Sequence, residues 1–139
     1  MGERKFTDDL TRGIIACVIK VHNALGPGFV EDIYRRALII ELEQQGFAIE
    51  TEKTVVVRYE GREVGRHRLD LLVNQQVIIE LKAVEQLAAA HYAQLRSYLK
   101  ATSLTVGLLV NFGREKADTR RVELNPSPPH LHPFIPTSP

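Results

Sequence analysis

The chain has 139 residues, 44% of them hydrophobic and 25% charged, with a net charge of +1; that length suits one domain able to bury roughly two thirds of its unfolded surface. The near-neutral balance argues against a protein that coats nucleic acid through bulk charge, so any basic contacts have to be gathered locally. The single cysteine, Cys17, excludes an internal disulfide or a cysteine metal cluster, and with no apolar run near the ~18–20 residues of a membrane span and no secretory pattern at the charged start, the expected setting is cytoplasmic, with no membrane partner.

Leu10, Ile14, Cys17, Val18, Val21 and Leu25 recur at steps of three and four, the apolar stripe of a first helix. Thr7 or Asp8 stands where a cap is wanted, and Gly26-Pro27 ends the pattern. A second helix is expected from about Val30, with Ile33, Ala37, Leu38 and Leu42 turned inward and Gly46 just past its end. The period then shortens. Residues 49–59, containing Val55-Val56-Val57, predict a strand; Glu60-Gly61-Arg62 predicts a turn, and residues 63–73 a second strand. Asn74-Gln75-Gln76 is a polar break before a third strand, Val77 to Ala83. A helix over Glu85 to Lys100 follows, then a buried strand from Thr105 to Phe112 and a short edge strand from Arg120 to Leu124. The first three strands pair as an antiparallel meander. The third and fourth, joined by a helix, are parallel through a right-handed crossover. The expected fold class is therefore α/β, a mixed β-sheet flanked by helices, with one domain over residues 1–124. Residues 125–139 hold six of the seven prolines and are expected to form an extended Pro-rich C-terminal tail without a catalytic part.

Chemistry concentrates in Arg68-Leu-Asp70 and Glu80-Leu-Lys82. With the turn centred on Gln75, Asp70 faces Glu80 and Arg68 faces Lys82. Alternation then puts Leu69, Leu71 and Val73 with Val77, Ile79 and Leu81 on one apolar face, and Arg68, Asp70 and Leu72 with Ile78, Glu80 and Lys82 on the other. Opposed residues have Cβ atoms about 4.5–5.5 Å apart. Two carboxylates at that spacing repel unless they share a proton or a cation. Mg²⁺ suits the second case, with Mn²⁺ as substitute, because a hard ion takes one or two carboxylates and completes its shell with water and phosphate oxygens. Lys82 would then hold the attacking water or stabilise phosphate charge. Alternatively, Asp70 and Glu80 pair with Arg66, Arg68 and Lys82 on a solvated face.

At these residues the sequence resembles the PD-(D/E)xK nuclease superfamily, whose signature is an acid near one strand end and an acid-x-Lys on the next; Leu69 stands in place of the name-giving proline. Gly28-Phe-Val-Glu31-Asp-Ile-Tyr34 is similar to the motif of the GxxExxY proteins, small domains assigned to that superfamily. The similarity also takes in Leu25-Gly26-Pro27-Gly28, Glu80-Leu81-Lys82-Ala83-Val84, Gln94 through Leu99, and Asn111-Phe112-Gly113. It implies a restriction-endonuclease-like core, a mixed sheet with helices on both faces. It also implies that Glu31 supplies a further acid for metal, although an acid in a helix's first turn also serves the macrodipole. Gln94 and Tyr98, four apart with His91 one turn before, resemble the Gln-x-x-x-Tyr of the exonuclease branch, which lies beside the nucleic-acid strand; an amphipathic helix's polar stripe has the same spacing. His22 and Tyr34 are expected behind the acids, orienting rather than reacting.

The expected function is metal-assisted phosphodiester hydrolysis in DNA or RNA. Asp70 and Glu80 bind Mg²⁺ with Glu31, and Lys82 positions the nucleophile. Gln94, Tyr98, His91 and Arg68 contact substrate, and Arg35, Arg36, Arg66, Arg96 and Lys100 are further candidates for phosphate. The alternative is a non-catalytic nucleic-acid-binding or assembly module on a nuclease fold. In either case a core this small leads us to expect a homodimer or a protein partner.

Overall fold

A computed structural model describes residues 2–124; the Pro-rich tail at 125–139 lies outside the described residues. Helices α1 (Gly2–Leu25) and α2 (Glu31–Gln44) come first. Thr7 and Asp8 sit inside α1 rather than at its cap, because the preceding charged residues are good helix formers and carry the helix back to Gly2. In α2 the inward stripe is Tyr34, Leu38, Glu41 and Leu42. Ile33, expected inward, is 41% exposed, and Ile40 is exposed with it. Both stripes of this helix are apolar at helical spacing, and the larger Tyr34 takes the interior.

The strands are β1 (Ile49–Thr51), β2 (Thr54–Tyr59), β3 (Arg62–Arg68), β4 (Leu71–Val73), β5 (Val77–Lys82), β6 (Val106–Asn111) and β7 (Asp118–Glu123), with α3 (Ala89–Thr102) between β5 and β6. A five-stranded sheet runs in the order β1-β4-β5-β6-β7, and β2 and β3 form a separate two-stranded ribbon. Only β5 and β6 are parallel among these pairs. The mixed sheet, the parallel crossover and the β7 edge are as expected from the sequence, and Leu71 pairs with Ile79 in the register that a turn centred on Gln75 requires.

Each of the two long strands expected over 49–59 and 63–73 is broken in the middle. Glu52 takes a positive φ of 53°, and the chain resumes as β2, with Leu69 N–H donating to the Lys53 carbonyl at 2.9 Å. The hairpin keeps its register across the break, but its faces turn over. Leu71 and Val73 pack toward α1 and α2, whereas Leu69 and Val55 pack toward α3. Leu69 is thus not on the face expected for it. Helix α3 also starts later than Glu85, at Ala89, because both backbone polar groups of Val84 are bonded to a side chain from the end of β6 described below.

The sheet separates two apolar clusters. One joins Leu10, Ile14, Val18, Tyr34 and Leu38 to Leu71, Val77, Ile79, Leu81, Leu108 and Phe112. The other joins Leu72, Ile78 and Leu109 to Leu95, Tyr98 and Leu99 of α3. Gly107 lets α3 come close, since a Cβ there would lie 2.9 Å from a Leu95 methyl. Even-numbered positions of β5 face α3, so Glu80 and Lys82 do as well.

Candidate active site at the end of the central strands

Asp70 lies in the break, one residue before β4, and Glu80 is on β5 directly across from it. Asp70 Oδ2 accepts the Leu81 N–H at 2.9 Å. The Asp70 N–H makes a long contact of 3.5 Å with Glu80 Oε1. The acids are thus brought together as the sequence requires, and Glu80 is 6% exposed. Burial, and then the charge of Asp70, push the Glu80 carboxyl up to about 8. Among the described residues Glu80 has no ion pair within 4 Å; Lys82 Nζ is turned toward Gln94 Oε1 at 3.5 Å.

Glu31 opens α2 and reaches the same end of the sheet. Its carboxyl is raised by burial and then by Asp70, with Arg35 and Lys82 opposing. Arg35 lies between the acids. Its guanidinium donates to Glu31 Oε2 at 3.0 Å, to Asp32 Oδ1 at 2.5 Å and to Asp70 Oδ1 at 3.4 Å. The spacing of Glu31 and Arg35 on one helix announced the first of these contacts; no local pattern announced the contact with Asp70. Among the described residues no three His, Cys, Asp or Glu side chains are gathered closely enough to hold a metal ion in this conformation. The donor types nevertheless fit a hard divalent cation: two carboxyl groups face each other, one of them buried and holding its proton, and such an ion would favour the ionised pair.

Tyr98 borders the acids. Burial, followed by the charges of Glu80 and Asp70, raises its phenol, and its ring lies 4.8 Å from that of His67 on the ribbon. It is buried rather than on a polar stripe. His91 is one turn before Gln94 on α3 and also serves the helix start. Its Nδ1 accepts the Ala88 N–H at 2.9 Å while its own N–H donates to the Ala88 carbonyl, so it caps α3 where Ala88 has no capping side chain. Arg68 does not face Lys82, because the strand has turned away by that point; it pairs with Glu52 at 2.9 Å and is exposed. Arg66 pairs with Glu63 and Arg36 with Asp32.

Behind the acids, His22 stacks on Phe112, and Phe112 on Tyr34 with ring centroids 4.6 Å apart. His22 Nε2 is 2.7 Å from the Arg114 carbonyl, which only accepts, so this nitrogen carries the proton. Tyr34 Oη donates to the Gly26 carbonyl and accepts the Phe29 N–H at 3.2 Å. It thereby fixes the loop that delivers Glu31, in which Gly28 holds a φ of 113°. Among the described residues, neither ring has a hydrogen bond to Glu31, Asp70 or Glu80.

The sequence reading gave no role to Asn111, which is fully buried. Its Oδ1 accepts the Val84 and Gly113 N–H groups and its Nδ2 donates to the Val84 carbonyl. Phe112 N–H adds a bond to the Lys82 carbonyl. Gly113 packs backbone to backbone here, since a Cβ would lie 2.3 Å from the Val84 carbonyl oxygen. These contacts fix the chain immediately after Lys82.

A family model described as the PD-(D/E)XK nuclease superfamily matches residues 8–122. No curated protein matches the sequence. Among solved structures, the crystal structure of SSO0001 is similar, with a TM-score of 0.56 at 19% identity over 76% of this chain and 55% of that one. The crystal structure of an alkaline exonuclease (LHK-Exo) from Laribacter hongkongensis aligns with a TM-score of 0.49 at 13% identity, over 76% of this chain and 60% of its own. The first likeness is one of fold. This chain spans a little over half the length of both.

Proposed function

Because the chain belongs to the PD-(D/E)XK nuclease superfamily, whose nucleases act on nucleic acid and generally depend on divalent metal ions, we propose that it hydrolyses phosphodiester bonds in DNA or RNA. The residues that would hold the cation, Mg²⁺ or in its place Mn²⁺, are Asp70 and Glu80, with Glu31 reaching in from α2. The observation that carries this reading is Glu80, a buried carboxyl group facing that of Asp70, with no ion pair among the described residues. A divalent ion there would supply Lewis-acid polarisation of the phosphate and a more acidic bound water.

The chain's own groups do the rest. Lys82 places its ammonium beside the acids, where it orients the attacking water or stabilises charge on the phosphate. Gln94 aims Lys82 through the contact at 3.5 Å. Tyr98 walls the acids on the α3 side. Lys100 lines a cleft of about 510 Å³ between β2 and α3, together with Arg58, Ser97, Val56, Val57 and Ala101. Two cations, and no acid among the described residues that line the cleft, suit a phosphate backbone running away from the site. We also assign the chain to the GxxExxY group. The support is that Gly28, Glu31 and Tyr34 each do separate work in one structural unit: a positive-φ turn, an acid at the helix start and a hydroxyl that ties the two together.

Cleavage of single- and double-stranded DNA and RNA with Mg²⁺ or Mn²⁺ tests this. Asp70→Ala, Glu80→Gln and Lys82→Ala, purified alongside the wild type, are each expected to lose at least about 10²-fold in rate. Wild type that cuts nothing, or variants that cut equally well, overturn the assignment. A second reading, a nucleic-acid-binding or assembly module without turnover, is favoured by Arg35 standing between Glu31 and Asp70. It predicts salt-dependent binding that survives Lys82→Ala, with no hydrolysis.

A further inference from the structure

Arg35 is one helical turn beyond Glu31, and only 22% of its side chain is exposed. One nitrogen of its guanidinium, Nη2, contacts both Glu31 Oε2 and Asp70 Oδ1, at 3.0 and 3.4 Å. A single positive atom therefore sits between two of the acids that a divalent ion would have to share. The other end nitrogen, Nη1, donates to Asp32 Oδ1. Asp32 has a second cation, since Arg36 Nε reaches its Oδ2 at 2.8 Å. If Arg35 swings out, Asp32 keeps Arg36, and only Glu31 and Asp70 are left to be neutralised by something else. The planar fork of an arginine suits this role better than an ammonium, because it bridges carboxylates without needing a metal's coordination number.

We propose that Arg35 is a built-in counter-ion: it holds the acids while no divalent cation is bound and has to be displaced for one to bind, so that it sets the metal concentration at which the site fills. The proposal rests on the nuclease reading of the same acids. Its consequence differs from that of a ligand or a phosphate contact, because removing a competitor strengthens metal binding.

Calorimetric titration of Mn²⁺ into wild type, Arg35→Gln and Arg35→Lys tests it, with Arg12→Gln, whose partner Asp9 is on α1, as a control for net charge. Arg35→Gln is expected to bind Mn²⁺ about two- to fivefold more tightly than wild type, the scale of losing one partly exposed ion pair, with Arg35→Lys between them and Arg12→Gln unchanged. In EDTA, Arg35→Gln is expected to melt lower than wild type, and to gain more in Tm from added Mn²⁺. Should Arg35→Gln not fold, the Arg35→Lys affinity decides alone. Equal or weaker Mn²⁺ binding by the Arg35 variants overturns the counter-ion proposal and leaves the metal reading intact. Binding by Arg35→Gln but not by wild type supports the proposal in its strongest form. Absence of Mn²⁺ binding in every variant overturns both.

Discussion

Glu80 keeps its proton in the folded, metal-free protein well above the pH at which the unfolded chain gives it up. Its carboxyl is raised from 4.5 to about 8 by burial and by Asp70. Between those two values the folded state binds more protons than the unfolded state, so stability falls as pH rises and the full penalty is present above the upper value. Urea denaturation in EDTA at pH 5, 6, 7 and 8 is expected to show this decline, at no more than about 1.4 kcal/mol per pH unit. Glu80→Gln, which cannot ionise, is expected to flatten it, and Mg²⁺ at pH 8 to reverse it by favouring the ionised form. A wild-type profile as flat as that of Glu80→Gln would contradict the burial of this charge. At the residue scale, Asp70, Glu80 and Lys82 were legible because strand alternation and a short turn fix them by arithmetic. Arg35 was read only as a phosphate contact, because its link to Asp70 spans 35 residues. The pairing of Arg68 with Glu52 rather than its place opposite Lys82 was hidden, because it lies beyond a break that local pattern does not show.

At the scale of elements, the clamp from Asn111 and Gly113 onto Val84 is the clearest case of a contact that shapes its surroundings. It joins residues 27 apart and ties down the segment after Lys82, which bends at Val84 before α3 begins at Ala89. Asn111→Ala removes bonds to the Val84 N–H and carbonyl and to the Gly113 N–H. It is expected to cost about 2–3 kcal/mol in urea denaturation, the price of leaving such groups unpaired, and to slow cleavage under conditions where the variant remains folded. A change below about 0.5 kcal/mol would show that water replaces the amide readily. The Asn111-Phe112-Gly113 motif was visible in the sequence, but its work was not, because a buried amide serves chain segments that only tertiary structure brings together. The breaks at Glu52 and Leu69 were hidden for another reason: neither carries a Gly or Pro, and a positive φ at Glu52 is not a preference that the residue announces.

On the scale of the whole molecule, element order and the parallel crossover were legible because period changes mark them and the handedness rule leaves few arrangements. Along α2, Leu38 and Leu42 are buried as their spacing suggests, but the place of Tyr34 in the core instead of Ile33 was not legible, since two apolar stripes compete there and only the finished core decides. The two clusters on opposite faces of the sheet have unequal relations to the site. Ile14 lies in the α1 and α2 layer, whereas Leu95 ties α3, with Gln94 and Tyr98, to the sheet. Ile14→Ala and Leu95→Ala are both expected to cost about 2–5 kcal/mol. Well below both melting points, Leu95→Ala is expected to lose more cleavage activity, since it loosens the helix that aims Lys82 and walls the acids. Equal losses would show that α3 serves only as cover.

The departure of β3 from the main sheet leaves the Leu81 amide without a neighbouring strand, and Asp70 Oδ2 takes the vacant place in the ladder. The two oxygens of this carboxylate therefore have separate duties: one stands in for a strand backbone, and the other, Oδ1, is turned toward Arg35. Alanine at this position would remove brace and charge together, whereas asparagine can offer its carbonyl oxygen to Leu81 and remove the charge alone. The same irregularity that ends the pairing thus ties an acid to the backbone beside its partner, so that Asp70 cannot drift from Glu80 without first giving up a bond that the sheet needs.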